Sequence, residues 1–311
     1  MILSICPNPS IDCTIELDTL NVGKLNRAQN KIETYSGKAL NVAKGVARLG
    51  EKSVATGFMF DDHAKLFEHV LEKEKVKYSF IYNKGSARVN YKIIDKRSML
   101  TEINDRGEGV NRDKQLELIS LVKNLSLESD IVVMSGSLPK GVNPEFYREV
   151  LNVIPSRVKK IVDTEKENML QALKSDNGLF MVKPNLNELE SFSGCTLNDK
   201  ADIIRASRKY IDGGVENVLV SLGADGALLT DGSRHYYCKS ANVAVNSTVG
   251  AGDSMVAAAC VGLFHGVSTD GVLKMSVAAG TAAITTSGTN LFYKDKFDEI
   301  YKKIFVEEIK L

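Results

Sequence analysis

Short β-rich runs alternate with helical patterns along most of this chain, and no other feature narrows its fold as much. The runs Ile2–Cys6, Ser53–Thr56, Ile131–Ser135, Lys160–Asp163, Leu179–Lys183 and Asn217–Ser221 read as buried strands. Helical periodicities lie among them at Leu40–Leu49, Ala64–Glu74, Lys114–Leu125, Pro144–Val153, Asn185–Phe192 and Ala201–Gly213. Alternation of this kind predicts an α/β fold, with a central, mostly parallel sheet flanked by helices. Such sheets bind ligands at the carboxyl ends of their strands. After Val220 the pattern changes. Gly226–Thr230 and His235–Lys239 read as a hairpin around Asp231-Gly232, and three helices finish the chain.

Two segments break the rhythm. Ile11–Tyr35 and Tyr78–Asn104 alternate apolar and polar residues without helical period, as antiparallel strands with one exposed face do. They predict a small discontinuous β-sheet lid, formed by about 11–35 and 78–104, within a single domain over residues 1–311.

The chain has 311 residues and a net charge of +1, with Lys and Arg spread rather than blocked. No broad field therefore draws nucleic acid or a membrane surface. The longest apolar stretches, Met255–Leu263 and Val272–Ile284, are interrupted and fall short of the roughly 20 residues of a membrane span. The start Met1–Pro7 reads as a strand rather than a signal peptide. Five cysteines without C-x-x-C spacing argue for reduced thiols, and the four histidines show no metal-ligand spacing. A cytoplasmic protein is expected.

One octapeptide carries chemistry: Ser247-Thr248-Val249-Gly250-Ala251-Gly252-Asp253-Ser254, followed at once by an apolar run. It sets two glycines and a carboxylate at a helix start, where free backbone N–H groups and the positive end of the dipole favour an anion. The residues alone allow two readings, a phosphate site with a reactive aspartate or a helix merely capped by Asp253. Four further motifs sit at strand ends or helix starts. Ser36-Gly37-Lys38-Ala39-Leu40-Asn41 joins a glycine turn, a cation and an amide. Ser135-Gly136-Ser137-Leu138-Pro139 follows an apolar strand. Lys183-Pro184-Asn185-Leu186-Asn187-Glu188 puts Asn185 and Glu188 on one helical face, as oxygen groups for a hydrated Mg²⁺ or as a helix cap. Ser221-Leu222-Gly223-Ala224-Asp225-Gly226 is a turn that fits under a nucleotide. The chain has no G-x-x-x-x-G-K-[ST], and Gly250–Met255 is not G-x-G-x-x-G, so P-loop and dinucleotide readings lose their support.

Taken together and in order, these motifs resemble the PfkB (ribokinase-like) carbohydrate kinases, from Asn8-Pro9-Ser10-Ile11-Asp12 to the last helices. Within that family the chain looks most like the branch acting on sugar phosphates, the 1-phosphofructokinases and tagatose-6-phosphate kinases. The resemblance implies an ATP-dependent kinase with Mg²⁺. Its product would be a ketohexose 1,6-bisphosphate, made from fructose 1-phosphate first, or from tagatose 6-phosphate or fructose 6-phosphate. It implies that Asp253 is the catalytic base and that Gly250, Ala251 and Gly252 lie in the anion hole begun by Val249. Asp12, Gly37, Lys38 and Asn41 match sugar-binding positions, and Arg88 and Ser137 lie near the substrate phosphate. Lys183, Asn185, Ser221, Gly223, Gly226 and Thr248, with Gly250 and Gly252, fall on the nucleotide side, and Ala278–Ala283 on the adenine wall. Glu188 and Asn185 would organise Mg²⁺ through water. Lys24 and Arg27 are further cations for the substrate. Ala39 stands where the family has glycine, and its methyl group is expected to crowd the passing substrate. The helix dipole is expected to keep Asp253 ionised near neutral pH. An exposed lid is expected to pair with a second copy as a homodimer.

Overall fold

The computed structural model describes residues 1–97, 99–286 and 290–310. The chain enters through β1 (Ile2–Cys6), then makes β2 (Ser10–Leu17) and β3 (Asn30–Ser36) before α1 (Lys38–Arg48). β4 (Ser53–Phe60), α2 (Ala64–Lys73) and β5 (Lys77–Asn83) follow, then β6 (Arg88–Asp95) and β7 (Leu100–Asn104). Next come α3 (Arg112–Ser126), β8 (Ile131–Ser135), α4 (Glu145–Asn152), β9 (Lys159–Asp163), α5 (Lys166–Ala172) and β10 (Leu179–Val182). α6 (Leu186–Ser193), α7 (Lys200–Asp212), β11 (Val215–Ser221), β12 (Ala227–Thr230) and β13 (His235–Cys238) lead to the last helices. These are α8 (Ala251–Phe264), α9 (Thr269–Ala283) and α10 (Lys294–Lys303), followed by β14 (Val306–Glu308).

A ten-stranded sheet has the order β14-β13-β12-β11-β10-β9-β8-β1-β4-β5. It is parallel from β5 to β11 and antiparallel from there to β14. The central strands are apolar on both faces because helices cover both. On β8, Val132 and Met134 enter one core while Ile131 and Val133 enter the other. α8 is buried continuously from Asp253 to Gly262. Small residues let its neighbours approach closely. A Cβ on Gly45 of α1 would lie 2.6 Å from the Ala257 Cβ, and one on Gly280 of α9 would lie 2.7 Å from Met255 Cγ. The positions of α1 and α8 thus fix each other, and with them the side chains at their starts.

The second sheet is four-stranded, β3-β2-β6-β7. Its two central strands, β2 and β6, run parallel, a direction that alternation alone does not reveal. Tyr78–Asn83, expected in the lid, belong instead to β5 and pair with β4 at the edge of the large sheet. An edge strand has one half-exposed face, so it shows the same alternation as a lid strand. The expected lid segment 78–104 also includes Ser98, which lies outside the described residues. Two short elements, α5 and β14, have no counterpart in the sequence reading. Among the described residues no helix is long and apolar enough to cross a membrane.

Lys44 of α1 is only 7 % exposed, and among the described residues no carboxylate pairs with its ammonium. Burial pushes this amine down from 10.5 to about 8, against the raising field of Glu74. The depressed value means that burying the charged amine opposes folding. Between pH 8 and 10.5 the unfolded chain holds a proton that the folded chain has lost, so stability rises with pH across that window. Below pH 8 the cost is fully present, up to about 3 kcal/mol. In urea unfolding, Lys44→Met should therefore be the more stable protein at pH 7, by an amount that shrinks toward pH 10. Equal stability at pH 7 would contradict a desolvated amine.

Candidate active site

The carboxyl ends of the parallel strands open into one continuous cleft of about 980 Å³ that also runs under the second sheet. At its centre is the start of α8. Gly250 precedes the helix at φ 80°, a left-handed conformation that glycine adopts without strain. The first helical bond runs from the Ser254 N–H to the Gly250 carbonyl at 2.9 Å. The N–H groups of Ala251, Gly252 and Asp253 thus stand outside the ladder, at the positive end of the dipole.

Asp253 is 8 % exposed, and its Oδ2 accepts a hydrogen bond from the Asn41 amide at 2.8 Å. Asn41 sits on the first turn of α1, which Gly37 admits at φ 148° because a Cβ there would lie 2.7 Å from Cys6 Sγ. Burial is the largest influence on the Asp253 carboxyl and holds it above the ordinary carboxylate range, with the Lys38 charge acting against it. The helix dipole therefore does not lower this group overall. A raised carboxyl is a stronger base once ionised, which suits proton removal from a hydroxyl.

Two lysines converge beside it on Asp163, the last residue of β9. Lys38 Nζ lies 3.7 Å from Oδ2 and Lys183 Nζ lies 3.5 Å from Oδ1. Burial alone would push Asp163 up, but Lys183 and Lys38 outweigh it and hold the carboxyl low. Asp163 in turn raises Lys38 above the usual lysine value. Lys183 also reaches the helix start, since a Cβ on Gly252 would lie 3.3 Å from its Nζ. An anion seated at α8 would thus meet backbone donors and two ammonium groups.

Arg88, the first residue of β6, is half-buried. Its terminal nitrogens donate to the carbonyls of Asn8 (3.3 Å) and Asp105 (3.4 Å), while its Nε–H is buried without a partner. Arg88 itself lines the cleft, and a guanidinium there suits an incoming anion. Ser137 shares this end, its Oγ accepting from the Asn8 amide at 3.4 Å. Asp12 of β2 is held by Asn90 (3.1 Å), Ser10 (3.4 Å) and Lys92 (3.7 Å).

Beyond the helix start lie Thr248, Ser221, Gly223 and Gly226, with Val277, Gly280, Thr281 and Ile284 from and just after α9. Gly226 has no alternative, because a Cβ there would lie 2.0 Å from the Cys238 carbonyl. Asn185 and Glu188 form a reciprocal cap on α6. Asn185 Oδ1 accepts from the Glu188 N–H and Glu188 Oε2 from the Asn185 N–H, both at 2.8 Å. Asn185 and Glu188 thus hold each other at the start of α6, and both line the cleft. Among the described residues no three His, Cys, Asp or Glu side chains gather to cage a metal. Glu188 Oε1 has no protein partner among those residues and lines the cleft. This fits a hydrated Mg²⁺ that arrives with phosphate ligands rather than one resident in the protein.

Asp12, Gly37, Lys38, Asn41, Arg88, Ser137 and the motif residues assigned to the site between Lys183 and Asp253 line this cleft. Two other expectations are corrected. Ala39 is fully buried within α1 in the core and does not line the cleft, so its methyl group does not touch a ligand there. Lys24 and Arg27 lie on an exposed turn outside it. The Ala278–Ala283 stretch of α9 reaches the cleft through Gly280 and Thr281, with its four alanines packed in the core behind them. Sequence reasoning missed Asp163, Asn90 and Lys92. Their signals were present: a carboxylate at a strand's carboxyl end, and residues in alternation with Arg88 on one strand face.

A helix start with free N–H groups, a buried carboxylate beside it and a sheet over the cleft fit a phosphotransferase site of the carbohydrate-kinase type. Residues 7–296 match the pfkB family of carbohydrate kinases, and the chain belongs to that family. It is 32 % identical to a tagatose-6-phosphate kinase from Staphylococcus epidermidis over 311 residues, 99 % of this chain and 100 % of that one. It is 31 % identical to a 1-phosphofructokinase from Borreliella burgdorferi over 311 residues, 99 % of both chains. The phosphofructokinase-2 from Escherichia coli, solved in complex with fructose-6-phosphate, superposes with a TM-score of 0.88 at 28 % identity, covering 97 % of this chain and 98 % of that one. The solved neighbour shares the α/β architecture, and all three are kinases by name.

Proposed function

We propose that this protein transfers the γ-phosphoryl group of ATP to the free primary hydroxyl of a ketohexose phosphate, giving a ketohexose 1,6-bisphosphate. The observation that carries the reading is one cleft holding both a buried carboxylate at a helix start with free N–H groups and, at its other end, the Arg88 guanidinium as a cation for a second phosphate. Fructose 1-phosphate is the leading substrate, supported by the likeness of Arg88–Lys92 and Ser247–Met255 to 1-phosphofructokinases. Tagatose 6-phosphate is the alternative, favoured by the identity to the staphylococcal enzyme, with fructose 6-phosphate third.

In this reading Asp253 accepts the proton of the attacking hydroxyl, and Asn41 holds its carboxylate in place. The N–H groups of Ala251, Gly252 and Asp253 meet the oxygens of the transferring phosphoryl group, where charge is spread in the transition state. Lys183 adds a cation beside Gly252. Glu188 is placed to hold Mg²⁺ through water, and the ion neutralises phosphate charge when bound. The small sheet closes over the sugar and excludes water, which limits ATP hydrolysis.

The proposal includes a homodimer through the lids. Tyr91, Leu100 and Ile103 are exposed apolar residues on β6 and β7, and β7 is an open edge. It also sets the enzyme in the cytoplasm, in keeping with its five free cysteines. The test is kcat/KM with Mg-ATP for the three ketohexose phosphates in an ADP-release assay. We expect the highest value for fructose 1-phosphate. Turnover confined to unphosphorylated sugars or nucleosides would contradict the reading.

A further inference from the structure

Arg88, Asn90 and Lys92 alternate along β6, and all three line the cleft. The adjacent strand places Ser10, Asp12 and Thr14 opposite them in register. Arg88 is engaged by backbone carbonyls and Asn90 by Asp12, which leaves Lys92 as the cation that this face has to account for. Lys92 is 7 % exposed, and its Nζ lies 3.7 Å from Asp12 Oδ2. The other Asp12 oxygen, Oδ1, takes the Asn90 amide at 3.1 Å and the Ser10 hydroxyl at 3.4 Å. Both carboxylate oxygens are thus tethered, one by neutral donors and one by a charge.

The Lys92–Asp12 spacing matters. At 3.7 Å the two groups form an ion pair but not a close hydrogen bond, so Oδ2 keeps room to accept a sugar hydroxyl. A carboxylate asked to hold a hydroxyl of a dianionic substrate is pushed away by the substrate's own charge. Something must keep it from turning aside. Lys38 is drawn to Asp163, and among the described residues only Lys92 stands within ion-pair distance of Asp12.

We propose that Lys92 is a positioning residue, which fixes the Asp12 carboxylate against the repulsion of a sugar phosphate so that it can bind a sugar hydroxyl. The inference rests on the proposed function and on Asp12 as a sugar ligand. Three variants separate its failure from theirs: Asp12→Asn, Lys92→Met and the double variant, with Lys92→Arg as the conservative replacement. With fructose 1-phosphate, Lys92→Met should raise KM about tenfold, with kcat changed less and KM for ATP unchanged. Lys92→Arg should restore most of the loss. In the Asp12→Asn background, Lys92→Met should change KM less than about twofold, because there is no carboxylate left to place.

An unmoved KM in Lys92→Met, with Asp12→Asn clearly impaired, would overturn the role of Lys92 alone. A tenfold loss that persists in the Asp12→Asn background would also overturn it, since Lys92 would then act on the substrate's own charge. An Asp12→Asn variant with normal KM would instead contradict Asp12 as a sugar ligand. Should Lys92→Met fail to fold with Asp12 left unpaired, the Lys92→Arg variant and the charge-neutral double variant still decide between these outcomes.

Discussion

Asp253→Asn is expected to lower kcat by about 10²–10⁴-fold, the usual contribution of a positioned general base, with KM for ATP nearly unchanged. Asparagine keeps the size and polarity of the side chain and leaves the N–H groups at the start of α8 where they are. In the proposed reading nucleotide binding draws on those groups, on Lys183 and on the turn at Ser221–Gly226, all of which line the cleft and none of which the substitution touches. What disappears is the one carboxylate at the helix start able to take the hydroxyl proton. Its surroundings suit a base. Burial raises the carboxyl, the Asn41 amide fixes its direction at 2.8 Å, and Lys38 lends a compensating charge. Steady-state kinetics with each substrate varied in turn separates the two constants. Near-normal turnover, or a loss confined to KM for ATP, would remove Asp253 from the role of base.

The second large effect is expected at Arg88. Arg88→Ala should raise KM for a ketohexose phosphate by about 10- to 100-fold, as removal of a charge-assisted hydrogen bond worth about 1.5–3 kcal/mol would do. The guanidinium is held by the carbonyls of Asn8 and Asp105 with its Nε–H pointing at no acceptor. Gly107 packs against it, since a Cβ there would come within 3.3 Å of the Arg88 Cβ. The side chain is thus held in place, as the proposed phosphate contact requires. Lysine is expected to be a poor substitute, because it lacks the planar fork. A KM for sugar phosphates unchanged in Arg88→Ala would mean that the substrate carries no phosphate at this end, which would exclude the whole substrate class.

The sequence made the helix start of α8 legible because its chemistry is local: two glycines, a carboxylate and an apolar run within a few residues. The parallel strands were legible for a related reason. Burial on both faces leaves continuous apolar runs such as Ile131–Ser135, whose bounds the structure reproduces. The misreadings arose where a pattern has two physical causes. β5 alternates because it is an edge strand, and alternation cannot tell an edge from a lid. Ala39 was expected to crowd the substrate because it stands where the family has glycine, yet helical geometry turns consecutive residues about 100° apart, and the methyl group enters the core. Asp163 and Lys92 carry local signals, but their pairings could not be read without the fold. Their partners, Lys38 and Lys183 in one case and Asp12 in the other, are distant in sequence and meet only once the strands and α1 are packed.

The central claim is that one helix start serves a phosphoryl transfer from ATP to a sugar that already carries a phosphate. Its most direct test is ³¹P NMR of the purified protein with Mg-ATP and fructose 1-phosphate. ADP and a second phosphomonoester on the same sugar should appear in equal amounts, with no free phosphate. ADP formed with inorganic phosphate alone, or no change in the fructose 1-phosphate, tagatose 6-phosphate and fructose 6-phosphate spectra, would contradict it.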